Sequence, residues 1–61
     1  MNNIIASAPT KEKLEKMINE FYASENYIIT EENEVYNKKL NKTLDSVKVT
    51  YKRKRFYFEF K

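Results

Sequence analysis

The sequence predicts an α+β fold: one N-terminal amphipathic helix packed on a small antiparallel sheet of three to four strands that ends in a β-hairpin. Three observations carry this. Apolar residues between positions 10 and 24 recur at helical spacing, beyond residue 26 the period changes to two, and residues 47–60 fold back on themselves in one consistent register. A chain of 61 residues accommodates one domain, residues 1–61, and shows neither linker nor internal repeat.

Taken in chain order, "NIIAS" at residues 3–7 supplies a candidate edge strand. The helix follows. Within "TKEKLEKMINEFYAS", Leu14, Met17, Ile18, Phe21 and Tyr22 fall at i, i+3, i+4, i+7 and i+8, one face of a helix. Thr10 is the expected N-cap with Pro9 just outside, and Glu12 and Glu15 lie near the positive end of the helix dipole. Glu12 and Lys16 form an i, i+4 pair. The helix is expected to stop between Ser24 and Asn26, with Asn26 taking the left-handed cap conformation that glycine usually provides. The chain contains no glycine, so asparagine is the expected substitute wherever φ must be positive.

"NYIIT" and "EVYNK" then read as strands joined by the acidic turn "EEN". Asn33 stands where a three-residue hairpin loop needs a left-handed residue, and Asn41 occupies the analogous place in "KLNKT". A helix over residues 31–44 is the alternative, since Glu31, Glu32 and Glu34 precede Lys38, Lys39 and Lys42, and Tyr36, Leu40 and Leu44 are spaced by four. Asn33, Asn37, Asn41 and Thr43 argue against it, being poor residues for a helix interior. The strand-and-turn reading is preferred.

The last hairpin can be argued by register. With Arg53 and Lys54 at its tip, Lys52 faces Arg55, Tyr51 faces Phe56, Thr50 faces Tyr57, Val49 faces Phe58, Lys48 faces Glu59 and Val47 faces Phe60. Every apolar residue except Tyr57 then lies on one side, and Lys48 with Glu59 makes an opposite-charge pair on the other. A two-residue turn favours Asn-Gly and here receives Arg-Lys; a four-residue loop, Lys52 to Arg55, keeps the same pairing. The core expected from this picture joins Leu14, Met17, Ile18 and Phe21 to Val47, Val49, Phe56, Phe58 and Phe60, with Tyr27, Ile29 and Val35 contributing.

Composition narrows the function. There is no cysteine and no histidine, so disulfides, thiolate metal sites and the common nucleophile–base pairs are excluded, and a chain this small offers little room for a catalytic pocket. We expect no enzymatic activity, no cofactor, no metal and no small-molecule substrate. Glu31, Glu32 and Glu34 read as a solvated turn. The N-terminal "MNNIIASAP" lacks the charged and apolar regions of a signal peptide, no apolar run is long enough to cross a membrane, and the helix has no cationic excess for a lipid surface. A soluble, cytoplasmic protein without a membrane partner is expected. The many lysines and asparagines point to an AT-rich coding genome, as in bacteria and their phages.

Charge is divided unevenly along the chain. Residues 1–36 hold three Lys against seven Glu, net −4, while residues 37–61 hold nine cations against Asp45 and Glu59, net +7. The candidate nucleic-acid-binding residues are therefore Lys48, Lys52, Arg53, Lys54 and Arg55, with Lys61 a further cation, and Tyr57, on the face away from the core, as the aromatic that stacks on a base or packs on sugar. Phe56, Phe58 and Phe60 read as core. The competing reading of the cations is a solvated turn that blunts an edge strand. The alternative function is a protein–protein interaction module or a homodimer, the kind of small accessory or inhibitor protein that phages and mobile elements carry, docking through a strand edge or through its acidic and basic segments.

Overall fold

The computed structural model describes residues 3–61; Met1 and Asn2, part of the N-terminal stretch read above, lie outside the described residues. Six strands and one helix follow in the order β1 (Ile4–Ala8), α1 (Lys11–Phe21), β2 (Tyr27–Ile29), β3 (Val35–Asn37), β4 (Lys42–Thr43), β5 (Val47–Lys52) and β6 (Arg55–Phe60). The α+β architecture expected from the sequence is present, with its strands divided between two three-stranded antiparallel sheets. One has the order β1-β6-β5 and the other β2-β3-β4.

In the first sheet the terminal strands meet. β1 is the edge strand that "NIIAS" foretold, pairing with β6 through Ala6↔Phe58, Ser7↔Tyr57 and Ala8↔Phe56, with a register irregularity between Ile4 and Ala6. On β6's other side, the hairpin with β5 has the predicted register at all six pairs from Val47↔Phe60 to Lys52↔Arg55. β6 is thus the central strand, and its middle inward residue, Phe58, is fully buried. Side chains on a strand alternate between faces, so Phe58 on one face leaves Arg55, Tyr57 and Glu59 on the other.

The core gathers Ala8, Leu14, Ile18, Val35, Val47, Val49 and Phe58. Helix α1 packs on β1, β6 and β2, while β3 packs on β5, so two layers close over the inward face of the first sheet. Leu14 and Ile18 are the buried helix residues, at i and i+4 on one line. Met17 and Phe21, expected in the core, are 42% and 53% exposed. The reason is geometric: they lie on the flank of the stripe, beyond the line along which the helix touches the sheet, although the Phe21 ring still makes an edge contact with Phe58 at 5.9 Å. Tyr51 and Phe60, on the inward side of the hairpin, are likewise exposed, because the strands extend at both ends past the helix and the second sheet.

Thr10 is the N-cap, its hydroxyl accepting a hydrogen bond from Lys13 N at 3.2 Å. The other end corrects the sequence reading. The helix stops at Phe21 rather than near Ser24–Asn26, and the left-handed residue is Ala23, at φ 52°, not Asn26. Ala23 N donates to Glu20 O and Ser24 N to Asn19 O, the paired bonds of a Schellman motif. Asn26 instead donates its backbone N–H to Ser24 Oγ. An alanine in this conformation carries a Cβ clash that glycine lacks. Ala23→Gly is therefore expected to stabilise the protein by about 1 kcal/mol, read as a higher midpoint in urea unfolding.

The polar side of α1 has a structural task. Asn19 binds both backbone groups of Tyr27, its Nδ2 donating to Tyr27 O at 3.0 Å and its Oδ1 accepting from Tyr27 N at 2.9 Å. Glu15 Oε1 accepts from Ile29 N at 3.0 Å. These two side chains pair with the outer edge of β2 as a neighbouring strand would, satisfying groups that an edge leaves open. Asn19→Ala would strip two partners from Tyr27 and is expected to cost about 2–3 kcal/mol, measured by denaturant unfolding.

Residues 31–44 adopt the strand-and-turn form and not the helical alternative. Asn33 and Asn41 hold φ of 60° and 54°, as their positions foretold. Asn33 also ties the layers together, since its carbonyl accepts from Val49 N at 3.1 Å on the free side of β5. Asn37 is buried and accepts from Leu40 N at 2.9 Å, fixing the turn that follows β3. Tyr22 stacks on Tyr27 with ring centroids 4.5 Å apart, and burial, with Tyr27 beside it, pushes its hydroxyl pKa above the ordinary value. Among the described residues, no helix is long and apolar enough to cross a membrane.

Candidate nucleic-acid interface

The outward face of the β1-β6-β5 sheet is formed by the residues that alternation excludes from the core. From β5 come Lys48, Thr50 and Lys52, from β6 Arg55, Tyr57 and Glu59, and from β1 Ser7. Tyr57 stands near the middle of this face, on the central strand, with Thr50 opposite it on one side and Ser7 on the other. It is half-buried by these neighbours.

A shallow groove of about 350 Å³ crosses the face, lined by Asn3, Ile4, Thr50, Lys52, Arg53, Tyr57 and Glu59. Its two ends differ in charge. Lys52 and Arg53 stand at the tip end, and the Glu59 backbone lies four register steps from Lys52, about 13 Å at the usual rise of a strand. Glu59 Oε2 accepts a hydrogen bond from Thr50 Oγ1 at 2.8 Å, which fixes the carboxylate within the groove. Lys48 faces Glu59 in the register, as predicted, but does not line the groove.

Of the six predicted residues, the groove brings together Lys52, Arg53 and Tyr57. Arg55 points across β6 toward β1, its Nη2 donating to Ser7 Oγ at 3.2 Å, and lines a second groove with Lys13, Lys16 and Met17. Lys54 is exposed at the tip and Lys48 is exposed toward the other end of β5. Lys61 follows β6 at the end far from the tip, its backbone N–H donating to Ser46 O. Asn3, Ile4, Thr50 and Glu59 complete the groove but were not among the predicted site residues; the alternation that places Tyr57 outward also places Thr50 and Glu59 there, and that was the signal for them.

The tip is a two-residue turn rather than the four-residue loop, with Arg53 at φ 53° and Lys54 at φ 63°. Positive φ at both positions is the pattern of a type I′ turn, whose twist suits a hairpin and which favours Asn-Gly. Here two cations hold the strained conformation instead. Replacing them together, Arg53→Asn with Lys54→Gly, is expected to stabilise the protein by about 1–2 kcal/mol in thermal unfolding, by relieving the left-handed strain and the crowding of charge.

No protein-family model, curated protein or solved structure matches this chain.

Proposed function

We propose that this is a non-enzymatic protein that binds nucleic acid through the outward face and tip of the β5–β6 hairpin. Lys48, Lys52, Arg53, Lys54 and Arg55 meet phosphates, and Tyr57 meets a base or sugar. One observation carries the reading: a half-buried tyrosine stands in the middle of a polar sheet face, with cations around it that the core does not use. A basic groove with an aromatic on its floor is the arrangement that combines phosphate attraction with stacking.

The test is to follow backbone amide signals of the labelled protein by NMR as a single-stranded oligonucleotide is added. The reading expects saturable shifts concentrated at Lys48–Glu59 and Ser7, with α1 and the second sheet little changed. Shifts confined to α1 or to residues 25–44, or none, would remove it.

A second reading, association with another copy of the chain, has one observation in its favour. β1 is an uncharged edge strand, and Met17 and Phe21 are exposed on the helix that packs on it. Two β1 edges paired antiparallel about a two-fold axis would bring no charged side chains of β1 itself together. Sedimentation velocity over a range of concentrations decides this, a constant monomer value counting against the dimer.

A further inference from the structure

Resting on the nucleic-acid reading, we infer that the groove beside Tyr57 seats one unpaired nucleotide and prefers a base with an exocyclic amino group, cytosine over thymine. The Glu59 carboxylate repels phosphate, so within the groove itself, which Lys48 does not line, its end is not the phosphate end. Lys48, facing Glu59 from outside the groove, meets the backbone of a neighbouring nucleotide. The carboxylate is held at Thr50, two residues or about 7 Å along β5 from Lys52, so Lys52 and Arg53 at the tip provide the phosphate end instead. The charge asymmetry therefore orients the nucleotide, with its phosphate toward the tip and its base toward Glu59.

Tyr57 lies between these ends and supplies the stacking surface. Its position decides the strandedness of the ligand. A tyrosine half-buried among Thr50 and Ser7 does not project from the sheet, so it cannot reach a base inside a duplex. Only a base already splayed from its neighbours can lie on the ring. The ligand is thus single-stranded.

Base preference follows from hydrogen-bond chemistry. An ionised carboxylate only accepts. Glu59 Oε2 already takes the Thr50 hydroxyl, which orients the group and leaves Oε1 for the ligand. The cytosine N4 amino group donates to such an acceptor, whereas thymine presents the O4 carbonyl at the same position and is repelled. The two pyrimidines are alike in size and differ where Glu59 reads them.

The experiment compares oligo-dC, oligo-dT and a duplex of the same length by fluorescence anisotropy at neutral pH, for the wild-type chain and for Glu59→Gln. Glutamine keeps an oxygen to accept from Thr50 and also offers an N–H to a carbonyl, so the variant preserves the local structure, with circular dichroism as the check. The expected result is oligo-dC bound about fivefold or more tighter than oligo-dT, the duplex weaker than oligo-dC, and the dC/dT ratio falling toward one in Glu59→Gln. Equal binding of the two strands, or a ratio unchanged in Glu59→Gln, overturns the inference while leaving the nucleic-acid reading in place. Absence of binding to all three overturns both.

Discussion

Arg53→Glu combined with Arg55→Glu is expected to lower affinity for a single-stranded oligonucleotide on the order of a hundredfold at low salt, with the fold retained. Both residues are exposed. Arg53 lines the groove, and the side-chain bond of Arg55 to Ser7 is an exposed one whose loss costs little stability. Each phosphate contact adds to the steepness with which binding falls as salt rises, about 0.7 in the log–log slope for single strands. Removing two should flatten that slope by about 1.4, a signature that simple loss of folded protein does not produce. The turn substitution complements this variant. Arg53→Asn with Lys54→Gly should raise stability and weaken binding together, so that folding and binding move in opposite directions.

The largest effect on stability is expected at Phe58. It is fully buried on the central strand and meets the rings of Phe21 and Tyr22 at 5.9 and 6.2 Å. Truncating a buried phenylalanine costs about 3–5 kcal/mol. A chain of this length has about 3–9 kcal/mol of stability in all. Phe58→Ala should therefore remove most of it, seen as loss of a cooperative thermal transition by circular dichroism at the tyrosine band. Phe60→Ala provides the contrast, since that ring is half-exposed at the end of the same strand and its loss should cost about 1 kcal/mol or less. A large loss at Phe60 and a small one at Phe58 would mean that the core is not centred on β6.

Those two phenylalanines also mark how far the sequence could be read. Alternation places both on the inward side, and it does so correctly, because the period of a strand is a local property. What alternation cannot state is where the covering layer ends. Phe60 and Tyr51 are exposed because α1 and the second sheet are shorter than the hairpin, and Met17 and Phe21 because a helix touches a sheet along a narrower line than its apolar arc. The register of the hairpin and the left-handed Asn33 and Asn41 were legible for the same reason that Phe58 was: each depends on residues close in sequence.

Long-range pairing was less legible. The division into two sheets depends on which edges find partners, and the pairing of β1 with β6 contains an irregularity that no alternation pattern announces. Asn19 and Glu15 read as ordinary polar helix positions, yet they complete the edge of β2, a role set entirely by where β2 lies. Ala23 takes the left-handed position because the helix ends three residues earlier than Asn26 requires. At the candidate site, the sequence placed six residues on one hairpin, and the fold divides them. Lys52, Arg53 and Tyr57 share the groove, Arg55 turns toward Ser7, and Lys48 and Lys54 stand apart from it.

The central claim is that the cations around Tyr57 bind nucleic acid rather than serving as a solvated turn. It is tested most directly by fluorescence anisotropy of labelled single-stranded DNA and RNA with the wild-type protein, from low to physiological salt. The account predicts saturable binding that persists near physiological salt and declines with a log–log slope of about −3.5, the value for five phosphate contacts on a single strand. Binding that is absent, or that vanishes with a modest rise in salt, would contradict it and leave the hairpin tip as a charged guard on the sheet.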